Sequence, residues 1–432
     1  MVMRVIADLH IHGKYSRATS EKMDIEEIER FAPLKGLNLV GTGDFTHPEW
    51  LRHLKDVLVE VPGTSLYQPL KAKSDLRFMI TGEVSTVFTY GKEVKKIHHV
   101  IFTPSFETAE QIIDRLANYG NLKADGRPTL DMSAPQLVEE IMEISRDNVV
   151  IPAHAWTPWF SIFGAFAGFN SVEDCYQDMT RHIFAIETGL SSDPPMNWRL
   201  SRLDHFALVS NSDSHSSWPW RIGREANVFE LEKFTYQNVI RAIKEKDPSY
   251  FRFTIETYPD YGKYHWTGHR NCGVSLPPQE AIMCGGLCPV CHRRLTKGVE
   301  ERVEELADRP DGYKPPNTPG YKYLLPLSEI ISTVIGVNYP GVQKVWEIYN
   351  VLVSRFGDEY TVLLETPIQA IAEASNLRIA EAISRVRDGR VKIIPGYDGV
   401  YGQIVIFPED EKANAEHREK GVSKQKSLSD FV

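Results

Sequence analysis

The chain has 432 residues, 42% hydrophobic, 25% charged and 10% aromatic, a globular composition too long for one ordinary core, so two or three domains are expected. Its formal net charge of −9 excludes a uniformly basic nucleic-acid binder, though not one that works through a local basic groove or bound cations. No apolar run reaches the ~18–20 residues of a membrane span and no basic-then-apolar export signal precedes the first strand, so a cytoplasmic location is expected.

Residues 1 to about 257 read as alternating short strands and helices. The run "RVIADLH" is the first strand. "DIEEIERFAPLKG" is a helix with Asp24 as N-cap, Glu27 three residues on, and Ile25, Ile28 and Leu34 on its apolar side. The strands that follow are "LNLVGTGD", "RFMITGE", "KKIHHVIFTP", "NVVIPAHAW", "FAIETGL" and "FALVSNSDSH". Nearly all end on His, Asp, Glu or Gly, which suits an α/β barrel with its reactive groups at the carboxyl ends of parallel strands. Residues 258–324 shift to Tyr, Pro, Gly and Cys and read as a small metal-stapled module with a Pro-rich exit. Residues 325–406 are mainly helical and close with a strand pair; 407–432 are polar and aperiodic, as in a disordered tail.

The polar strand ends are His10, His12, Asp44, His47, Glu83, His98, His99, His154, Asp213 and His215. Neutral imidazoles and carboxylates are ligands for Zn²⁺, Mn²⁺ or Fe²⁺. Side chains alternate along a strand, so His10 and His12 share one side, as do Asp213 and His215. By the same rule only one of His98 and His99 faces the site.

The segments "DLHIH", "GTGDFTHP", "TGEVS", "HHVIF", "PAHAW" and "NSDSH" resemble the successive motifs of the polymerase-and-histidinol-phosphatase (PHP) superfamily. The resemblance implies a distorted seven-stranded barrel holding two or three divalent metals (Zn, Mg or Mn) that hydrolyse phosphoesters with activated water. Matched motif by motif, His10 and His12 are the first ligand pair, Glu83 the bridging carboxylate, His154 the single His, and Asp213 with His215 the last pair. The second motif usually reads Asp-His; here Phe45 follows Asp44, and either or both of Asp44 and His47 can ligate. In the "HHVIF" motif the family's His precedes the apolar run, which favours His99. Besides Glu83 and Asp213, Asp193 is a candidate catalytic carboxylate in the loop after "FAIETGL", with a ligand or a loop cap as its other readings.

Cysteines 272, 284, 288 and 291 are spaced C-x11-C-x3-C-x2-C, whereas Cys175 stands alone. Four thiolates in one Gly/Pro-rich segment fit a closed structural zinc site of Cys272, Cys284, Cys288 and Cys291, with His292 as a substitute for one of them. Two aromatic stretches, "HAWTPWFSIFGAFAGFN" and "SSWPWRIGR", follow ligand strands. Core packing explains some of these rings. Trp156, Trp159, Phe160, Ser171, Trp218, Trp220, Arg221 and Arg224 are candidates to hold a base or a phosphate backbone. The closing "QKSLSDFV" has the Gln425, Leu428 and Phe431 spacing of a sliding-clamp (PCNA) interacting peptide, with Val432 where the second aromatic usually stands.

This order of parts resembles archaeal lesion-specific DNA repair endonucleases of the same superfamily. It implies hydrolysis of the phosphodiester 5′ to a deaminated base (hypoxanthine, uracil, xanthine) or an abasic site. The alternatives are a small-molecule phosphatase or general nuclease of the superfamily, and an inactive clamp-tethered DNA-binding scaffold.

Overall fold

Twelve strands precede the Cys-rich segment in the computed structural model, which describes residues 2–408. They are β1 (Met3–Asp8), β2 (Leu39–Gly41), β3 (Leu58–Val61), β4 (Leu66–Pro69), β5 (Arg77–Tyr90) and β6 (Glu93–Thr103), then β7 (Thr129–Leu130), β8 (Val149–Pro152), β9 (Ala185–Glu187), β10 (Ala207–Val209), β11 (Ala226–Leu231) and β12 (Phe251–Glu256). Between them lie helices α1 (Ile25–Lys35), α2 (Pro48–Val57), α3 (Phe106–Leu116), α4 (Ala134–Ile144), α5 (Val172–Tyr176), α6 (Pro194–Trp198) and α7 (Tyr236–Glu245). Helix α1 starts on the expected cap, Asp24 accepting from the Glu27 N–H, and ends at Gly36, whose φ of 100° needs a residue without Cβ.

Further on come β13 (Thr267–His269), β14 (Val274–Leu276) and β15 (Gly320–Tyr323), with helices α8 (Pro278–Met283) and α9 (Val299–Leu306). The last part holds α10 (Leu327–Ile335), α11 (Gln343–Phe356), α12 (Glu359–Leu364), α13 (Ile368–Ala374) and α14 (Leu377–Arg387), then the hairpin β16 (Lys392–Ile394) and β17 (Gln403–Val405). No helix among the described residues is long and apolar enough to cross a membrane. The Gln425, Leu428 and Phe431 peptide lies outside the described residues.

The main sheet has eleven strands, ordered β15-β12-β11-β1-β2-β5-β4-β3, with β6 and β7 paired to β5 and β8 paired to β6. Strands β1, β2 and β5 are mutually parallel. Strand β6 is antiparallel to both β5 and β8, so β8 runs in the direction of β1. Strands β9 and β10 form a separate parallel pair. One buried cluster includes Ala7, Leu39, Met79, Val100, Ile151, Ala185, Val209 and Phe229, so strands from both sheets share an inner core.

The α/β class is as expected, and the sheet departs from a simple ring of parallel strands in two respects. The sheet is mixed, and among the described residues its two seams are spanned by single backbone contacts in place of full ladders, Ala155 N donating to Glu187 O at 2.9 Å and His12 N to Ser214 O at 2.9 Å. Strand β8 ends at Pro152 and His154 takes a φ of 28°, which breaks the ladder toward β9. Side chains reinforce the second seam, where Asn211 Oδ1 accepts from Leu9 N at 2.8 Å and Asp8 Oδ1 accepts from Ser212 N at 3.0 Å beside the Ile11–Ser214 backbone bridge.

Candidate metal centre

The parallel strands β1, β2, β5 and β8 put the ends or middles of their side-chain rows at one place. Beyond β1, His12 Nε2 lies 2.8 Å from Asp213 Oδ1 and 3.4 Å from Glu83 Oε2. His10 Nε2 lies 3.6 Å from Asp213 Oδ1 and 3.7 Å from Glu83 Oε2. The other Glu83 oxygen, Oε1, is 2.8 Å from His98 Nδ1 and 3.0 Å from His154 Nε2. Two groups of ligand atoms result, one of His10, His12, Glu83 and Asp213 and one of Glu83, His98 and His154, each with its atoms within 4.8 Å of one another. Glu83 belongs to both.

The donor set fits divalent cations. Four imidazoles and two carboxylates are nitrogen and oxygen ligands of the kind that Zn²⁺ and Mn²⁺ accept. His10 Nε2 is buried and has no hydrogen-bond partner, an orphaned atom aimed at Glu83 and Asp213.

A second ring of groups orients the first. His10 Nδ1 sits 3.0 Å from both oxygens of Glu187, which also accepts from His154 N at 2.7 Å and Asn211 Nδ2 at 2.8 Å. Such a carboxylate sets the imidazole tautomer and turns Nε2 toward a metal. Asp44 does the same for His12, with Oδ1 3.0 Å from His12 Nδ1 and Oδ2 accepting from Gly13 N at 2.5 Å. Asp44 therefore stands one step behind the ligand atoms, a correction to its placement as a direct ligand. His47 lies outside both groups, stacked under Tyr15 at 4.4 Å with Nδ1 unpartnered. His215 also lies outside them; its Nδ1 is 2.7 Å from Thr19 Oγ1, its Nε2 3.9 Å from Asp213 Oδ1, and its ring stacks on His12 at 4.3 Å.

Alternation decides between the neighbouring histidines of β6, against the motif-based choice of His99. His98 is opposite Ser85 and shares a face with Glu83, whereas His99 is opposite Val84 on the other face. There His99 Nδ1 is 2.7 Å from Tyr176 OH and Nε2 2.9 Å from Thr86 Oγ1. Burial drives its pKa down to about 3, so it is a neutral, hydrogen-bonded core residue.

Charge is concentrated in the centre. Burial opposes ionisation of Glu83, but His98 and the other rings around it outweigh burial and hold its pKa well below the usual carboxylate range. Burial also opposes charging of His10, yet the Glu187 carboxylate lifts that imidazole well above its ordinary value. Arg127 enters from the loop before β7, with Nη1 3.1 Å from Glu83 Oε2. Gly126 lets this loop approach, because a Cβ there would collide with Asp44 Oδ2 and Ser16 Oγ. Asp44, His154, Phe160 and Asp213 all have positive φ, between 28° and 61°. Strain of this kind gathers where surrounding contacts over-determine the backbone.

Asp193 is elsewhere. It caps α6 by accepting from Met196 N at 2.9 Å, and its Oδ2 accepts from Tyr323 OH at 2.6 Å. Burial raises its pKa to about 6. It belongs to neither ligand group, so the catalytic reading of Asp193 gives way to the loop cap.

The aromatic stretches divide between core and surface. Trp156 is buried, donates from Nε1 to Asn197 Oδ1 at 2.8 Å and packs on Phe163, while Ser171 is the N-cap of α5. Neither is placed to meet a base. Trp159 and Phe160 are 41% and 40% exposed, and the Phe160 ring lies 5.0 Å from that of His98 at the edge of the centre. Trp220 is buried between Trp218 and Trp346, and Arg224 is buried opposite Glu329 at 3.7 Å, so these two serve the interior. Trp218 and Arg221 remain exposed.

The cysteine site is also corrected. His269, Cys272, Cys288 and Cys291 place their ligand atoms within 4.8 Å of one another, while Cys284 is left out at the end of α8. His269 ends β13 and Cys272 closes the turn after it; Cys288 and Cys291 flank a second turn, in which His292 N donates back to Cys288 O at 2.9 Å. The result is two x2-spaced pairs, a four-ligand arrangement suited to structural zinc. Burial raises the Cys288 thiol, but the backbone N–H groups of Cys291 and Val290 and the His269 ring outweigh it and bring its pKa to about 6.

Three residues escaped the sequence reading. Glu187, a carboxylate ending the strand in "FAIETGL", carried a positional signal and His269, with two residues between it and Cys272 in "HRNC", a spacing signal; Arg127, in the turn "DGRP", carried none.

These features define an α/β protein organised around a buried imidazole–carboxylate centre, with a separate His–Cys site. Residues 326–390 match the family described as the MJ0043 C-terminal domain. The lesion-specific endonuclease PfuEndoQ from Pyrococcus furiosus is similar along the whole chain, at 33% identity and a TM-score of 0.84, covering 98% of this chain and 100% of that one. A structure of endonuclease Q in complex with a 27-mer duplex substrate carrying an abasic lesion at the active site matches at 33% identity and a TM-score of 0.83, over 94% of this chain and 98% of that one. The protein MJ0043 of Methanocaldococcus jannaschii is 33% identical over 266 residues, 59% of this chain; the match spans 32% of that relative's length. The chain belongs to the endonuclease Q family.

Proposed function

We propose that the protein is a metal-dependent, lesion-specific DNA endonuclease that hydrolyses the phosphodiester 5′ to a deaminated base or an abasic site. The carrying observation is Glu83, a buried carboxylate shared by two groups of metal-ligand atoms. That arrangement suits a pair of cations acting on one phosphodiester. When bound, such cations activate a water and neutralise phosphate charge. The residues of this chain do the rest. Glu187 and Asp44 turn His10 and His12 inward, Asp213 and His12 face the same point, and the Arg127 guanidinium is held where an anionic phosphate would enter. We read the curled sheet as a PHP-type barrel of residues 1–257, the His–Cys site as a structural zinc in 258–324, and 325–406 as a DNA-contacting domain.

Phe160, exposed beside His98, and its exposed neighbour in sequence Trp159 are the rings best placed to hold an extruded base. Extrusion costs less for a mispaired or missing base than the few kcal/mol of a normal pair, which supplies part of the selectivity. The tail residues Gln425, Leu428 and Phe431 would tether the enzyme to a sliding clamp near chromosomal DNA in the cytoplasm.

A nicking assay tests the reading. End-labelled duplexes that differ by one deoxyinosine, deoxyuridine or abasic site are incubated with Mg²⁺ or Mn²⁺, with a phosphomonoester as control. A single cut 5′ to the lesion, lost on Asp213→Ala, is expected. Monoester hydrolysis with intact DNA would replace this reading by a phosphatase.

A further inference from the structure

The loop between β10 and β11 carries Asp213 and His215 in its first part, and the sheet alone does not hold it. The Pro219 carbonyl in this loop accepts from Lys35 Nζ at 2.9 Å. Lys35 Nζ also lies 2.7 Å from Glu359 Oε1, and these two charged side chains are 2% and 0% exposed. Glu359 is the first residue of α12, and it further accepts from Leu327 N at 2.9 Å and Tyr349 OH at 3.0 Å. The next residue, Tyr360, is buried and donates its hydroxyl to the Gly223 carbonyl.

From there a chain of hydrogen bonds leads to the centre. Gly223 N donates to Asp8 Oδ2 at 2.8 Å, and Asp8 accepts from Ser212 N at 3.0 Å and Ser212 Oγ at 2.6 Å. Ser212 directly precedes Asp213. Gly223 has a φ of 61°, and a Cβ there would come within 2.9 Å of Lys35 Cγ and 3.0 Å of the Tyr360 hydroxyl. The middle of the loop is pinned as well, Trp218 and Trp220 lying 5.6 and 5.8 Å from Trp346 of α11.

We propose that Glu359 and Tyr360 are positioning residues for the metal centre, through which the first turn of α12 holds the 212–224 loop and presents Asp213 to His10, His12 and Glu83. The inference rests on the reading of Asp213 as a metal ligand. A buried Lys–Glu pair contributes little net stability against an apolar alternative, because both charges are desolvated, and the best-attested use of such a pair is to fix a register. Here the register it specifies is that of the loop carrying the ligand. The C-terminal helices therefore set the geometry of the chemistry in addition to any contact they make with DNA.

The test uses the full chain with its zinc retained. Mn²⁺ binding is followed by electron paramagnetic resonance, together with kcat and KM for nicking and the thermal unfolding transition. Tyr360→Phe removes one hydroxyl and is expected to weaken Mn²⁺ binding by up to about tenfold, the lower end for groups bonded directly to a ligand, and to lower kcat with KM little changed. Glu359→Gln should act in the same direction. Val353→Ala, a cavity in α11 that touches none of these bonds, should lower the unfolding temperature and leave Mn²⁺ affinity as it is. Unchanged Mn²⁺ affinity in Tyr360→Phe, or an equal loss in Val353→Ala, overturns the positioning role. If Asp213→Ala itself keeps full Mn²⁺ affinity, the metal-centre reading falls first, so the two failures are distinct.

Discussion

His98 Nδ1 lies 2.8 Å from Glu83 Oε1 because β6 pairs with β5 in the register that sets Ser85 opposite His98. Residues 83, 85 and 98 then share one face of the sheet, and 84 and 99 the other. A slip of one residue would exchange the two histidines, giving the centre a different ring and leaving Tyr176 without its partner.

This register makes adjacent histidines separable by experiment. His98→Ala is expected to lower Mn²⁺ affinity at least about tenfold and to abolish nicking. His99→Ala leaves the Tyr176 hydroxyl unpaired and should cost roughly 1–3 kcal/mol of stability with Mn²⁺ affinity retained. Metal titration and chemical unfolding of both variants decide it; weaker metal binding in His99→Ala alone would reverse the assignment.

Arg127 brings a cation to the carboxylate that both ligand groups share. Arg127→Ala is expected to cut kcat by about 100-fold, the usual cost of losing one electrostatic donor, while Mn²⁺ binding stays the same or tightens. Arg127→Lys should restore part of the rate, since charge returns without the planar fork. Single-turnover nicking measures both, and full activity in Arg127→Ala would remove the residue from the chemistry.

The His–Cys site separates its members by zinc content. If the site holds the proposed zinc, His269→Ala and Cys288→Ser should each lose it and lower the unfolding temperature, because binding free energy at such a site is folding free energy. Cys284→Ser should keep one zinc at that site. Elemental analysis beside a thermal melt tests this, and zinc loss in Cys284→Ser would restore the thiolate set expected from spacing.

Asp193 gives a pH test with a definite sign. Its pKa is raised from 3.8 to about 6 by burial, so between those values the folded protein holds a proton that the unfolded chain has released. Its contribution therefore favours folding at low pH and is lost as pH rises through this window, a cost of order 1–3 kcal/mol above about pH 6. Asp193→Asn, which can still cap α6, should flatten that part of the stability–pH curve and leave nicking intact. A rate loss as large as that of Asp213→Ala would return Asp193 to the chemistry.

What the sequence determined by itself was local and periodic. The x-spacing of His10 and His12 puts both rings on one side because a strand repeats every two residues, and the cap at Asp24 starts α1 because its carboxylate can meet a free N–H three residues on. Metal-binding residue types at strand ends and a knuckle spacing at Cys288 and Cys291 were likewise legible. Tertiary structure decided the rest. The pairing of β5 with β6 chose His98, the fold of two turns against each other brought in His269 and left out Cys284, and packing made Trp156 and Asp193 interior groups. Spacing along a chain records which side chains share a face of one element. Which face meets which neighbour depends on registers and burial, set only when distant segments compete for the same core.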